Sequence, residues 1–237
     1  MRKVVISGGS SGLGRGLIDY LLENDYEVVS FSRRESPESE LSLKYPKNWT
    51  HLSNIDASKS EDLDKIKPYL KDCYGLVNNI GIAYDGILAT QGLGSIEGMI
   101  NVNLTSVIYL TKLWLRERMR ENNKGSCVSI SSIISDRGFS GLSVYSATKG
   151  ALNSMTRSLA REMGPMQIRF NAILPGYFES DLSESLENSK KNQIIRRTPM
   201  GRLANINDIL PSIEFLLNDK SSFITGQCLK IDGGLTV

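Results

Sequence analysis

Along the chain, short apolar runs alternate with longer stretches in which apolar residues return every three or four positions. The short runs are Lys3 to Ser7 (KVVIS), Glu27 to Ser32 (EVVSFS), Trp49 to Ser53, Gly75 to Asn78, Cys127 to Ser131 and Ile168 to Leu174. Several carry valine and isoleucine continuously, as parallel strands buried on both faces do. Between them, Leu13 to Asn24, Glu61 to Leu70, roughly Ser95 to Glu121, Val144 to Met163 and Asn207 to Leu217 have helical spacing. This alternation predicts βαβ units: an α/β fold with one doubly wound parallel sheet and helices on both faces.

No repeat, coiled coil or low-complexity linker breaks the pattern, so residues 1–237 read as a single domain. Two segments depart from it. Arg34 to Lys47 is polar, contains Pro37 and Pro46, and reads as a surface connection. Ser180 to Arg202 is polar and highly charged. An insertion of that length is either a lid over a ligand or a solvated helical excursion.

Composition narrows the class of function. With 40% apolar and 23% charged residues, the chain can bury an ordinary core, and a net charge of +2 argues for neither a nucleic-acid nor a membrane partner. No apolar run approaches the roughly 18 residues of a membrane-spanning helix, and the N-terminal run reaches glycine too soon for a signal peptide. Cys73, Cys127 and Cys228 show no metal-ligand spacing, and their odd number argues against a disulfide framework. His51 is the single histidine and reads as structural or exposed. The expectation is a cytoplasmic protein with no metal site.

Two clusters carry chemistry. Ser7 to Gly14 (SGGSSGLG) joins the first strand to the first helix. Gly8, Gly12 and Gly14 would let the backbone turn tightly and approach a pyrophosphate at the helix N-terminus, with Ser10, Ser11 and Leu13 completing the loop. That makes the sheet Rossmann-type and implies a dinucleotide cofactor. Where the second strand ends, an NAD enzyme usually has a carboxylate for the ribose hydroxyls. This chain has Ser32 followed by Arg33 and Arg34, with Arg15 in the glycine-rich segment. Hydroxyl and guanidinium groups suit a 2′-phosphate, so NADP(H) is favoured over NAD(H).

In the second cluster, Tyr145 and Lys149 stand four residues apart, sharing a helix face, and Ser132 precedes the tyrosine by thirteen. A proton donor, a carbonyl-polarising hydroxyl and a lysine that lowers the phenol pKa could thus meet at one oxygen.

Taken together, these residues resemble the short-chain dehydrogenase/reductase family, and most closely its 3-oxoacyl-[acyl-carrier-protein] reductases. The resemblance spans residues 1–237 and implies a catalytic set of Asn103, Ser132, Tyr145 and Lys149. It also implies cofactor contacts at Asp56 and Ala57, at Asn79 and Gly81 in the NNIG strand end (Ile80 replacing the usual alanine), at Pro175 and Gly176, and at Ser180. By analogy Asn103 would hold a water linking Lys149 to solvent. Ile82, Gly138, Phe139, Leu142 and Tyr177 would approach the substrate.

The implied reaction is NADPH-dependent reduction of a ketone, foremost a 3-oxoacyl thioester linked to coenzyme A or an acyl carrier protein. A carrier would meet Arg116, Arg118, Arg120 and Lys124, which otherwise read as a solvated helix end whose cations suit the helix C-terminus, and Asn123 and Met166 stand where arginine is expected. Two alternatives stay open: a ketoreductase or alcohol dehydrogenase for sugars, polyketides or other secondary metabolites, and a non-catalytic dinucleotide-binding regulator. The family also implies a homotetramer or homodimer built on the two long helices. The stripe Leu152, Met155, Leu159 and Met163 could serve that interface or simply meet the sheet.

Overall fold

A computed structural model describes residues 1–37, 43–178 and 188–237. Seven strands form one parallel sheet: β1 (Arg2–Ser7), β2 (Tyr26–Phe31), β3 (Trp49–Leu52), β4 (Cys73–Asn78), β5 (Gly125–Ile130), β6 (Ile168–Pro175) and β7 (Cys228–Ile231). Their order is β3-β2-β1-β4-β5-β6-β7, so the chain changes winding direction between β1 and β4. A crevice opens at such a switch point, outside the carboxyl ends of the strands.

Alternate residues of each strand face opposite layers. Val4, Ile6, Val28, Val77, Val128 and Ile173 pack against α1 (Gly12–Glu23) and a C-terminal helix, Leu210–Leu217. Val5, Val29, Leu76, Cys127 and Phe170 pack against the other layer. That layer consists of α2 (Ser60–Asp64), α3 (Lys67–Leu70), α4 (Leu93–Ile100), α5 (Ser106–Glu121) and α6 (Ser143–Met163). Among the described residues two further helices follow, α7 (Asn188–Arg197) and α8, the Leu210–Leu217 helix just named.

Several predicted elements divide. The helix expected over Glu61 to Leu70 becomes α2 and α3, because Pro68, at the start of α3, lacks the N–H that would continue the ladder. The long helix expected from Ser95 becomes α4 and α5, joined by a π-helical turn at Asn101–Thr105. In the stripe on α6, Leu152 and Met163 are buried, and Leu159 and Met163 pack on the core. Part of that stripe is therefore core contact with the sheet.

Packing in the second layer centres on Trp114, which is fully buried. Its Nε1 donates to the Cys73 carbonyl at 2.9 Å, and its ring meets Phe170 edge-on at 6.0 Å. Gly125 makes room for it: a Cβ there would stand 2.8 Å from the indole.

Candidate active site

At the switch point lies a cleft of about 510 Å³. Its floor begins with the glycine loop. Gly8 and Gly12 have positive φ (80° and 54°), and a Cβ on Gly12 would meet nothing within 4 Å. Backbone there is open to close approach by a ligand. Gly14 has the opposite role: its Cβ would stand 2.0 Å from the Gly8 carbonyl, so only glycine lets the helix start this near the loop. Ser11, the N-cap of α1, makes no side-chain cap bond, which leaves first-turn N–H groups for an anion. This cradle fits a dinucleotide pyrophosphate.

Ser10, Ser11, Leu13, Ser32, Arg33, Asp56, Ala57, Asn79, Gly81, Pro175 and Gly176 also line the cleft, as their assignment requires. Asn79 Nδ2 donates to the Ser7 and Gly8 carbonyls at 3.2 and 3.1 Å, tying β4 to the glycine loop. At Asp56, burial opposes the charge, but hydrogen bonds from Ser58 and the nearby Arg33 hold its carboxyl below its ordinary range. Arg15 is placed elsewhere. Its guanidinium pairs with Asp19 at 2.9 Å and lies 5.2 Å from the Trp49 ring centroid, one helical turn drawing it away from the cleft. Ser180 lies outside the described residues, as does the expected lid up to 187. The described remainder of that segment does not line the cleft; Ile194, Thr198 and Met200 surround a smaller cavity of about 220 Å³ that shares Tyr177.

The reacting end gathers Ser132, Tyr145 and Lys149. Ser132 caps the turn Ile133–Ser135 after β5, its Oγ accepting from the Ile134 N–H at 3.2 Å, and its hydroxyl lies near the Tyr145 phenol. With one lone pair taken by the backbone, its O–H stays available as a donor in the cleft. Lys149 is buried one turn beyond Tyr145 and donates to the Ile130 carbonyl at 2.8 Å; Gly81 packs against its head.

The electrostatics correct one expectation. Burial lifts the Tyr145 phenol to about 12, only partly offset by the nearby Ser132 hydroxyl. Burial also lowers Lys149 to about 8. Lys149 Nζ is 5.8 Å from the phenol ring centroid and turned to Ile130, so desolvation outweighs any lowering of the phenol by this cation. The tyrosine is held in its neutral form.

Asn103 sits in the π-helical turn, a distortion that often marks functional positions. Its Oδ1 accepts from the Ile82 N–H and its Nδ2 donates to the Ile82 carbonyl, both at 2.8 Å, with a further bond to Thr148 Oγ1 at 3.2 Å. Its side chain thereby clamps the loop after β4 against α6.

Ile82, Phe139, Leu142 and Tyr177 line the cleft as expected, whereas Gly138 does not. Ile133, Ile134, Tyr84, Asp85 and Phe178 also line it and were not anticipated. They follow the ends of β4, β5 and β6, and position after a parallel strand was the signal available for finding them.

A glycine cradle at the switch point and a Ser-Tyr-Lys cluster beyond it define a dinucleotide-dependent oxidoreductase. Residues 8–236 match a family model described as enoyl-(acyl carrier protein) reductase. The chain is 30% identical to the 3-oxoacyl-[acyl-carrier-protein] reductase FabG of Chlamydia pneumoniae, over 99% of this chain and 97% of that one. It is 32% identical to the acetoacetyl-CoA reductase of a Synechocystis strain, over 97% and 94%. Among solved structures, a putative 2-deoxy-D-gluconate 3-dehydrogenase from Agrobacterium tumefaciens with bound NADP aligns with a TM-score of 0.92 at 28% identity, over 99% and 96% of the two chains. The chain belongs to the short-chain dehydrogenase/reductase family and is an NAD(P)-dependent oxidoreductase acting on CH–OH or C=O groups. That sets aside the non-catalytic alternative.

Proposed function

We propose that the protein reduces the keto group of a 3-oxoacyl thioester with NADPH, Tyr145 being the proton donor. The observation that carries this reading is the wall around the reacting hydroxyls, built from Ile82, Ile133, Ile134, Phe139, Leu142 and Tyr177. Such a wall suits an acyl chain better than a polyhydroxylated sugar acid. The FabG and acetoacetyl-CoA reductase relatives support the same substrate class.

Arg33 and Arg34 at the cleft rim support NADPH, since they can neutralise a 2′-phosphate. When bound, the nicotinamide supplies the hydride. Tyr145, neutral at working pH, gives its proton to the developing alkoxide, while Ser132 donates a hydrogen bond to the same oxygen. Lys149, one helical turn beyond Tyr145, would hold the nicotinamide ribose and return a proton to Tyr145. Asn103 keeps the Ile82 wall and the Lys149 helix in register.

Arg118 is buried and pairs with Glu121, and Arg120 pairs with Glu117, which reduces the basic surface expected to meet a carrier protein. No helix among the described residues is long and apolar enough to cross a membrane. The free cysteines Cys73, Cys127 and Cys228 support a reducing, cytoplasmic setting.

The test is NADPH oxidation with acetoacetyl-CoA, the same group on an acyl carrier protein, a crotonyl thioester, and a keto sugar acid. Fast turnover of either acetoacetyl thioester is expected, and their ratio identifies the carrier. Turnover confined to the crotonyl thioester or the sugar acid would overturn the substrate assignment.

A further inference from the structure

His51 lies on β3 opposite Ser30 of β2, beneath the arginine end of the cleft. Its Nδ1 is 2.8 Å from Ser30 Oγ. Its Nε2 is 3.1 Å from the Arg34 carbonyl and 3.2 Å from Ser32 Oγ. The directions of these bonds follow from the partners. A carbonyl can only accept, so Nε2 carries a proton. In the neutral ring Nδ1 then accepts, and the Ser30 hydroxyl donates to it. Ser30, fully buried, in turn accepts from Trp49 Nε1 at 3.3 Å. A directed chain thus runs from the indole through Ser30 and His51 to the Arg34 main chain.

The segment it holds is irregular, and Arg33 and Arg34 on it are exposed. Other bonds pin the same segment to the glycine loop. Ser32 Oγ donates to the Arg34 carbonyl, Ser36 Oγ to the Gly9 carbonyl at 2.8 Å, and Arg34 Nη2 to Ser11 Oγ at 3.1 Å. A loop fixed in this way brings its guanidinium groups to the cleft with backbone entropy already lost, so less is lost on binding.

We propose that His51 is a positioning residue for cofactor selectivity: by holding the Arg34 carbonyl, it sets Arg33 and Arg34 where the 2′-phosphate of NADP(H) is read. This rests on the NADPH reading. It requires that loss of His51 weaken ligands carrying the 2′-phosphate and spare those lacking it.

The test is calorimetric binding of adenosine 2′,5′-bisphosphate and adenosine 5′-monophosphate, which differ only in that phosphate. Wild type should prefer the bisphosphate by about tenfold or more, the scale of charge-assisted hydrogen bonds. His51→Phe should lose most of that preference, with the monophosphate affinity unchanged within about twofold. If His51→Phe does not fold, Ser30→Ala, which removes the donor to Nδ1, should shift the ratio in the same direction. A preference retained in the variant, or equal weakening of both nucleotides, overturns the proposal while leaving the NADPH reading intact. A wild type without preference overturns both.

Discussion

Buried side chains at the reacting end titrate in opposite senses, and this gives the site a pH signature. Lys149, lowered to about 8 from its ordinary 10.5, binds fewer protons folded than unfolded between those values, so stability rises with pH there. Tyr145, raised from 10 to about 12, has the opposite sign, and its contribution is lost as pH climbs through that range. From about pH 7.5 to about 9.5, urea unfolding of wild type should gain about 2 kcal/mol relative to Lys149→Met. A parallel pH dependence in both proteins would mean that the lysine is not desolvated. Gly14→Ala forces a Cβ to 2.0 Å from the Gly8 carbonyl, a backbone atom that cannot step aside. NADPH binding by that variant, measured by calorimetry, should weaken more than about tenfold, with the change confined to the glycine loop. Gly14 was legible in the sequence because the motif demands a residue type. His51 was not, since its role depends on a register between β2 and β3 that only the folded sheet supplies.

The helix elements position the site through their interruptions. A single helix over the α4–α5 stretch would carry Asn103 on a regular ladder, whereas the π-helical turn gives its amide to both polar groups of Ile82. Asn103→Ala leaves that N–H and carbonyl without their partner. Turnover should fall about tenfold or more, the effect of a lost buried hydrogen-bond pair, with little change in NADPH affinity. An unchanged steady-state kcat would show that the clamp is dispensable. Docking of α5 rests on Trp114, and Trp114→Ala should lower urea-measured stability by about 3–5 kcal/mol. Helical period and apolar runs made the sheet and both helical layers readable, including the continuous valines of β1 and β2. The break between α2 and α3 was also in the sequence as Pro68, which the apolar period overrode. The π-helical turn left no such mark, because Asn101–Thr105 has neither proline nor glycine and is selected by tertiary bonds. Strand-end motifs fixed the polar chemistry. The apolar substrate wall comes from loops with no shared pattern, so it became visible only once the strand ends were gathered.

At the scale of the molecule, the cleft is divided: basic residues at the β2 end, apolar walls at the β5 and β6 ends, and the Ser-Tyr-Lys cluster beside those walls. The division supports a charged nucleotide and an acyl group bound in line across the switch point. Replacing both Arg33 and Arg34 with alanine should reduce the NADPH-to-NADH ratio of kcat/KM by about tenfold or more. Retention of the ratio would place the 2′-phosphate elsewhere. The measurement that bears most directly on the whole account is single-turnover reduction of acetoacetyl-CoA by wild type and Tyr145→Phe, alongside calorimetric NADPH affinity. The variant should keep the affinity within about twofold while the rate falls by about 10²–10⁴, the loss of a proton donor aimed at one oxygen. A rate near that of wild type, with cofactor bound normally, would contradict the assignment of Tyr145 and the mechanism built on it.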